Sequence, residues 1–165
     1  MSAPGFLKLE ITEGQCMVDP EGTVAQMDRL SAAGFDMFID DFGTGNSSLG
    51  WLKRLPAGTI KIDRSFVDES MRSPEDLEFL TNIVALARSR HKRVILEGIA
   101  TRQQNELLKG LLVDGLQGYY FANPLSAEAL EALLSTEARL PLPTAVPVPP
   151  SARPQEGGGS AEAAV

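Results

Sequence analysis

Residues 36–49 read DMFIDDFGTGNSSL, an apolar run that ends in two adjacent aspartates, Asp40 and Asp41, followed by a Gly-Thr-Gly turn signal and a Ser/Asn cluster. Like charges side by side repel, and a buried strand accepts them only when they are paired or hold a metal. Similar strand-like runs surround this one at 6–12 (FLKLEIT), 59–65 (TIKIDRS), 93–99 (RVILEGI) and 116–121 (LQGYYF). Helix patterns lie between them. Asp19-Pro20 is an N-cap followed by proline in the first turn, with Val24, Met27 and Leu30 at helical spacing. Ser73-Pro74 opens a second helix that carries Leu77, Leu80, Val84 and Ala87 on one face. Thr101-x-x-Gln104 is a capping box ahead of NELLKGLL, and Ser126 caps AEALEALL.

Strand alternating with helix predicts an α/β fold with parallel strands and right-handed crossovers. The spacing gives about five β/α units in 6–135, whereas a closed eight-stranded barrel takes about 250 residues. The residues by themselves allow either a small open sheet or part of a barrel. The remainder, 136–165, is rich in Pro and Gly, without an aromatic residue, and is expected to be a disordered tail.

Charge falls late in each strand-like run: Glu10 and Glu13, Asp40 and Asp41, Lys61 and Asp63, then Glu97, with Gln117 near the start of the last. Strand periodicity puts Lys61 and Asp63 on one face and Ile60 and Ile62 on the other. Parallel α/β enzymes build their sites at the C-terminal strand ends, so carboxylates from separate strands meet at one mouth. Their repulsion calls for a cation, and oxygen donors without a His/Cys cluster favour Mg²⁺ or Mn²⁺ over Zn²⁺. The bland alternatives are that Asp41 is a turn former, that Glu13 bonds loop amides, and that Lys61 pairs with Asp63.

Composition sets further limits. The chain has 165 residues, 43% hydrophobic and 22% charged, with a formal net charge of −7. An acidic balance argues against a nucleic-acid polymer as partner. No apolar stretch is long enough to cross a membrane, no secretory leader is evident, and the lone Cys16 reads as a packing residue in a cytoplasmic protein. His91 reads as a surface residue at a helix end, and Trp51 and Leu52 as either core or dimer contact, with contact favoured.

The blocks LEITE, IDDFGTGNSSL, LPAGTIKIDRSFV, ILEGIAT and DGLQGYYFANP resemble, in order and spacing, the later motifs of the EAL-domain cyclic-di-GMP phosphodiesterases, over about Leu7 to Leu134. The resemblance implies a partial TIM-like barrel and hydrolysis of cyclic di-GMP to pGpG with two divalent ions, Mg²⁺ or Mn²⁺. By matching position it implies Glu10, Asp40, Asp41 and Glu97 as metal ligands. It implies Lys61, Asp63 and Glu97 as catalytic, with Lys61 holding or deprotonating the attacking water. Gln117 would complete the pocket, and Glu13 would brace the loop after IDDF. Through loop 42–55 a homodimer or complementing chain is expected.

Departures are visible too. The family's Glu-Ala-Leu strand and an early Asn ligand have no counterpart, so the chain is expected to be a truncated domain, weak or inactive and poorly stable or oligomeric alone. Asn46 stands where the family has Tyr, and Ala100 where it has Glu. The Glu128-Ala129-Leu130 triplet is read as packing in a C-terminal amphipathic helix. A degenerate, non-catalytic binding module in cyclic-di-GMP signalling is the alternative function.

Overall fold

A computed structural model describes residues 8–45 and 53–135. The expected tail at 136–165, Asn46, and Trp51 with Leu52 lie outside the described residues. In chain order the elements are β1 (Lys8–Thr12), α1 (Glu13–Cys16), α2 (Pro20–Ala32), β2 (Asp36–Phe42), β3 (Thr59–Ile62), α3 (Arg64–Ser70), α4 (Pro74–Ser89), β4 (Arg93–Leu96), α5 (Arg102–Leu108), β5 (Gly115–Leu116) and α6 (Ala127–Ser135). The strands form one parallel sheet in the order β1-β2-β3-β4-β5. Spatial order equals chain order, so right-handed crossovers place the connecting helices on one face of the sheet. That is the architecture of a barrel wall, not of a doubly wound sheet, whose strand order reverses midway.

The core lies on the helix-covered face. Met37 and Ile39 of β2, Ile60 and Ile62 of β3, and Val94 and Leu96 of β4 pack with Met27 of α2, Leu80, Val84 and Ala87 of α4, and Leu108 of α5. Each strand contributes every second residue, as a pleated strand must. Cys16 is buried in the same cluster, as a small packing residue.

The expected helix starts hold in detail. Asp19 accepts from Gly22 N–H, Ser73 from Asp76 N–H, and Thr101 with Gln104 forms a reciprocal capping box. Ser126 Oγ accepts from Ala129 N–H at 3.3 Å ahead of α6. Strand lengths differ from expectation. The run at 59–65 is strand only to Ile62, because Asp63 caps α3 by accepting from Ser65 N–H. The run at 93–99 turns off the sheet after Leu96, and the last strand spans two residues instead of six. Thr12 likewise caps the short helix α1, so Glu13 begins a helical turn beyond the strand.

Candidate functional site

The face of the sheet opposite the core helices collects the polar residues. Lys61 alternates with Ile60 and Ile62 and therefore points away from the core, into the centre of this second face. It is 3% exposed. An ammonium so deeply placed needs compensation, and three carboxylates from three strands provide it. Lys61 Nζ donates to Glu10 Oε2 at 2.8 Å, and lies 2.7 Å from Glu97 Oε1 and 3.1 Å from Asp40 Oδ1. Burial works against the ammonium, yet the bonds from Glu10, Glu97 and Asp40 outweigh it and hold the Lys61 pKa above its ordinary value. Asp63, the partner that the bland alternative gave Lys61, is occupied with Ser65, whose N–H and hydroxyl both donate to Asp63 Oδ1, at 2.9 and 2.5 Å. Burial raises the Asp63 pKa, but these bonds prevail and keep it below the usual carboxylate range.

Asp40 and Asp41 would point to opposite faces in a regular strand. They do not, because the chain departs from regularity there. Asp41 has φ 53°, in the left-handed region, and the β2–β3 register shifts between Ile39 and Phe42. The bulge brings both side chains to one side. Carboxylate oxygens of Asp40, Asp41 and Glu97 consequently lie within 4.8 Å of one another. At that separation each pair repels by about 3 kcal/mol at an effective dielectric near 20. The repulsion acts on the pKa values. Burial first, then Asp40 and Asp63, raise the Asp41 pKa; burial first also raises that of Glu97, with Asp40 adding to it against the pull of Lys61.

Four carboxylates against one ammonium leave an excess of three negative charges. Asp40 Oδ1, although 3.1 Å from Lys61, is a buried oxygen without an aligned hydrogen bond. A left-handed aspartate, a buried carboxylate oxygen whose contact with Lys61 is an ion pair without hydrogen-bond alignment, and acid charge in excess of one ammonium together fit a hard divalent cation.

Glu13 stands apart from this cluster. Its buried carboxylate accepts from Gly43 N–H at 2.5 Å, and a Cβ added at Gly45 would sit 2.9 Å from its Oε1. It therefore ties α1 to the turn after β2, a position where the sequence allowed either amide bonding or metal contact. Gln117 lies beside the turn that follows Glu97: its N–H donates to Leu96 O, and its carbonyl accepts from Ile99 N–H. His91 is exposed at the end of α4 with φ 59°. Sequence spacing did not reveal Ser65 or Gly43 as partners of the acids. Ser65 carries the weak signal of a Ser two residues past a capping Asp.

A run of parallel β/α units with acids from several strand ends defines an α/β protein of barrel-wall type with an acidic cluster that could hold a metal ion. Comparison with known proteins narrows this. Residues 2–124 match the EAL domain family model, and the chain belongs to the EAL domain family. The bifunctional diguanylate cyclase/cyclic di-GMP phosphodiesterase MucR of Pseudomonas aeruginosa is 43% identical over 129 residues, which cover 78% of this chain and 19% of that protein. The cyclic di-GMP phosphodiesterase NbdA of the same organism is 42% identical over 129 residues, covering 78% and 16%. Among solved structures, the PaMucR phosphodiesterase in complex with c-di-GMP superposes with a TM-score of 0.72 at 42% identity, covering 78% of this chain and 52% of that one. The EAL domain of Mycobacterium smegmatis DcpA gives a TM-score of 0.72 at 36% identity, covering 78% and 58%. The chain thus spans under a fifth of the two curated relatives and little more than half of the two solved chains.

Proposed function

We propose that these strands form part of a cyclic-di-GMP phosphodiesterase site that opens the cyclic dinucleotide to linear pGpG. The observation that carries this reading is the convergence of Asp40, Asp41 and Glu97 over the ammonium of Lys61. In it Glu10, Asp40, Asp41 and Glu97 hold two divalent ions, Mg²⁺ or Mn²⁺. When bound, such ions lower the pKa of the attacking water and stabilise charge on the attacking and leaving oxygens.

The chain's own groups supply the rest. Hydrolysis forms one P–O bond to the water oxygen and breaks the P–O bond to one ribose oxygen, which takes up a proton. Lys61, ringed by acids, enters as an ammonium; it donates, and so orients the water without removing its proton. One carboxylate of the cluster accepts that proton. Asp63 supports the site by fixing the start of α3 two residues after Lys61, and Gln117 closes the pocket on the β5 side. Glu13 holds the turn after β2 in place, and through it loop 42–55 couples a homodimer or complementing chain to the site.

A second reading, a non-catalytic cyclic-di-GMP-binding module, draws support from Ala100. It presents only an N–H, to Gln104, at a position where the family resemblance implies a carboxylate. A cytoplasmic setting belongs to either reading; no helix among the described residues is long and apolar enough to cross a membrane.

The test is Mn²⁺-dependent release of pGpG from cyclic di-GMP by the full chain, with Glu97→Ala as control. Release that disappears in the control supports the enzyme. Saturable binding of cyclic di-GMP without release supports the module, and neither binding nor release sinks both.

A further inference from the structure

The turn that carries Glu97 is held by residues the site does not itself use. Gly98 has φ 75°, and a Cβ there would lie 2.3 Å from Arg64 Cγ, so the turn sits directly on α3. Gln104 is buried, and its Oε1 accepts from Ala100 N–H at 2.8 Å and Thr101 N–H at 3.0 Å. Its Nε2 donates to Asp68 Oδ1 at 2.9 Å, and Asp68 Oδ2 accepts from Arg64 Nε at 2.9 Å. A capping box needs only the bond to the N-cap N–H; the bonds to Ala100 and Asp68 exceed it. Because two amides occupy the Gln104 oxygen, its NH₂ group has one orientation left, toward Asp68. The path Arg64–Asp68–Gln104 therefore joins α3, which begins just after Lys61, to the turn that begins just after Glu97.

We propose that Gln104 and Asp68 are positioning residues that fix the Glu97 carboxylate against Lys61 and Asp40 by tying its turn to α3. The proposal rests on the reading of Glu97 as a metal-holding carboxylate. Hydrogen-bond partners of a metal ligand commonly change metal affinity about 10- to 100-fold; Gln104 and Asp68 act through the backbone of the turn, at Ala100 and Thr101, so the lower end of that range is expected. Main-chain bonds also hold the 97–101 turn, from Glu97 N–H to Ile62 O, Ile99 N–H to Gln117 O, Tyr120 N–H to Ile99 O and Asn105 N–H to Thr101 O; none of these runs to α3, as the bond between Gln104 and Asp68 does.

The experiment uses the full chain and Mn²⁺ alone, titrated by electron paramagnetic resonance, with amide hydrogen exchange at Ala100 and Thr101 as a second readout that needs no metal. Q104E keeps the acceptor for both amides but sets a carboxylate against Asp68. Mn²⁺ affinity is expected to fall about tenfold, and exchange of the two amides to quicken by a similar factor. The D68N/Q104E pair restores a donor opposite that carboxylate, while the new amide oxygen still accepts from Arg64. It is expected to recover both readouts to within about threefold. Q104E without effect on either readout, or a pair no better than Q104E, overturns the proposal. If the unaltered chain takes up no Mn²⁺, the functional reading fails separately, and the exchange measurement then decides the tie alone.

Discussion

The two faces of the sheet are built by the same strands and obey opposite rules. On one, Ile39, Ile60, Ile62, Val94 and Leu96 are fully buried beneath the helices and carry no polar atom in their side chains. On the other, Glu10, Asp40, Lys61 and Glu97 converge within ion-pair distance. Alternation along each strand separates them residue by residue, so stability and chemistry occupy adjacent positions without sharing side chains. The helix face stabilises the fold whether or not an ion is bound. The acidic face is held in balance by one ammonium and is short of positive charge. Substitutions on the two faces should consequently differ in how they respond to metal, more than in how much they destabilise.

The largest effect is expected on the apolar face. Ile60→Ala removes a fully buried side chain and should cost about 3–4 kcal/mol in urea unfolding, while the folded fraction keeps its Mn²⁺ affinity. Lost affinity at unchanged folding would erase the division between the faces. Next comes Lys61→Met, which strands three carboxylates. Because those acids are partly open to water, a loss of about 2–3 kcal/mol in chelator is expected. Added Mn²⁺ should restore this variant more than it stabilises the parent, read as the shift in unfolding midpoint. Equal shifts would mean the cluster does not take up the ion.

Gly98→Ala tests a position where the faces meet. The left-handed backbone and the contact with Arg64 should cost about 2 kcal/mol, and Mn²⁺ affinity should fall with it because Glu97 follows the turn. The smallest effect has the opposite sign. The Asp41 pKa is raised in the folded chain, so its ionised form opposes folding. Asp41→Asn, which also tolerates a left-handed backbone, should raise the melting temperature by roughly a degree or two at neutral pH in chelator. The gain should vanish below the ordinary carboxylate pKa of 3.8, where Asp41 is protonated in both states, and grow as pH rises through its raised folded value. The same variant should lose stabilisation by Mn²⁺. A melting point that falls at neutral pH contradicts the repulsion.

Much of the fold could be read directly. The caps at Asp19, Ser73 and Thr101 are local signals, since each side chain bonds an amide within three residues. The runs at 35–42 and from Thr59 are strands, over Asp36–Phe42 and Thr59–Ile62, as their apolar alternation indicates. Errors fell where tertiary packing overrules local pattern. The apolar run after Gln117 is not strand, since the pairing with β4 stops at Leu116. The charged run after Ile62 is helix for a local reason, since Asp63 caps it by bonding Ser65 N–H two residues on. For the site, the acids were recognisable by type, but spacing could not foretell that Lys61 pairs with Glu10, Asp40 and Glu97 while Asp63 bonds Ser65.

By itself the amino-acid sequence determined the order of β/α units, the helix starts and the set of acids placed late in the strands, because all of these depend on neighbours a few residues away. Only the tertiary structure decided that Lys61 answers to Glu10, Asp40 and Glu97, and that Asp41 turns to join Asp40. It also decided that Gln104 reaches across to Asp68. Those contacts join residues 21 to 51 positions apart, or require a bulge in the sheet. Their energies exist only once the strands are in register.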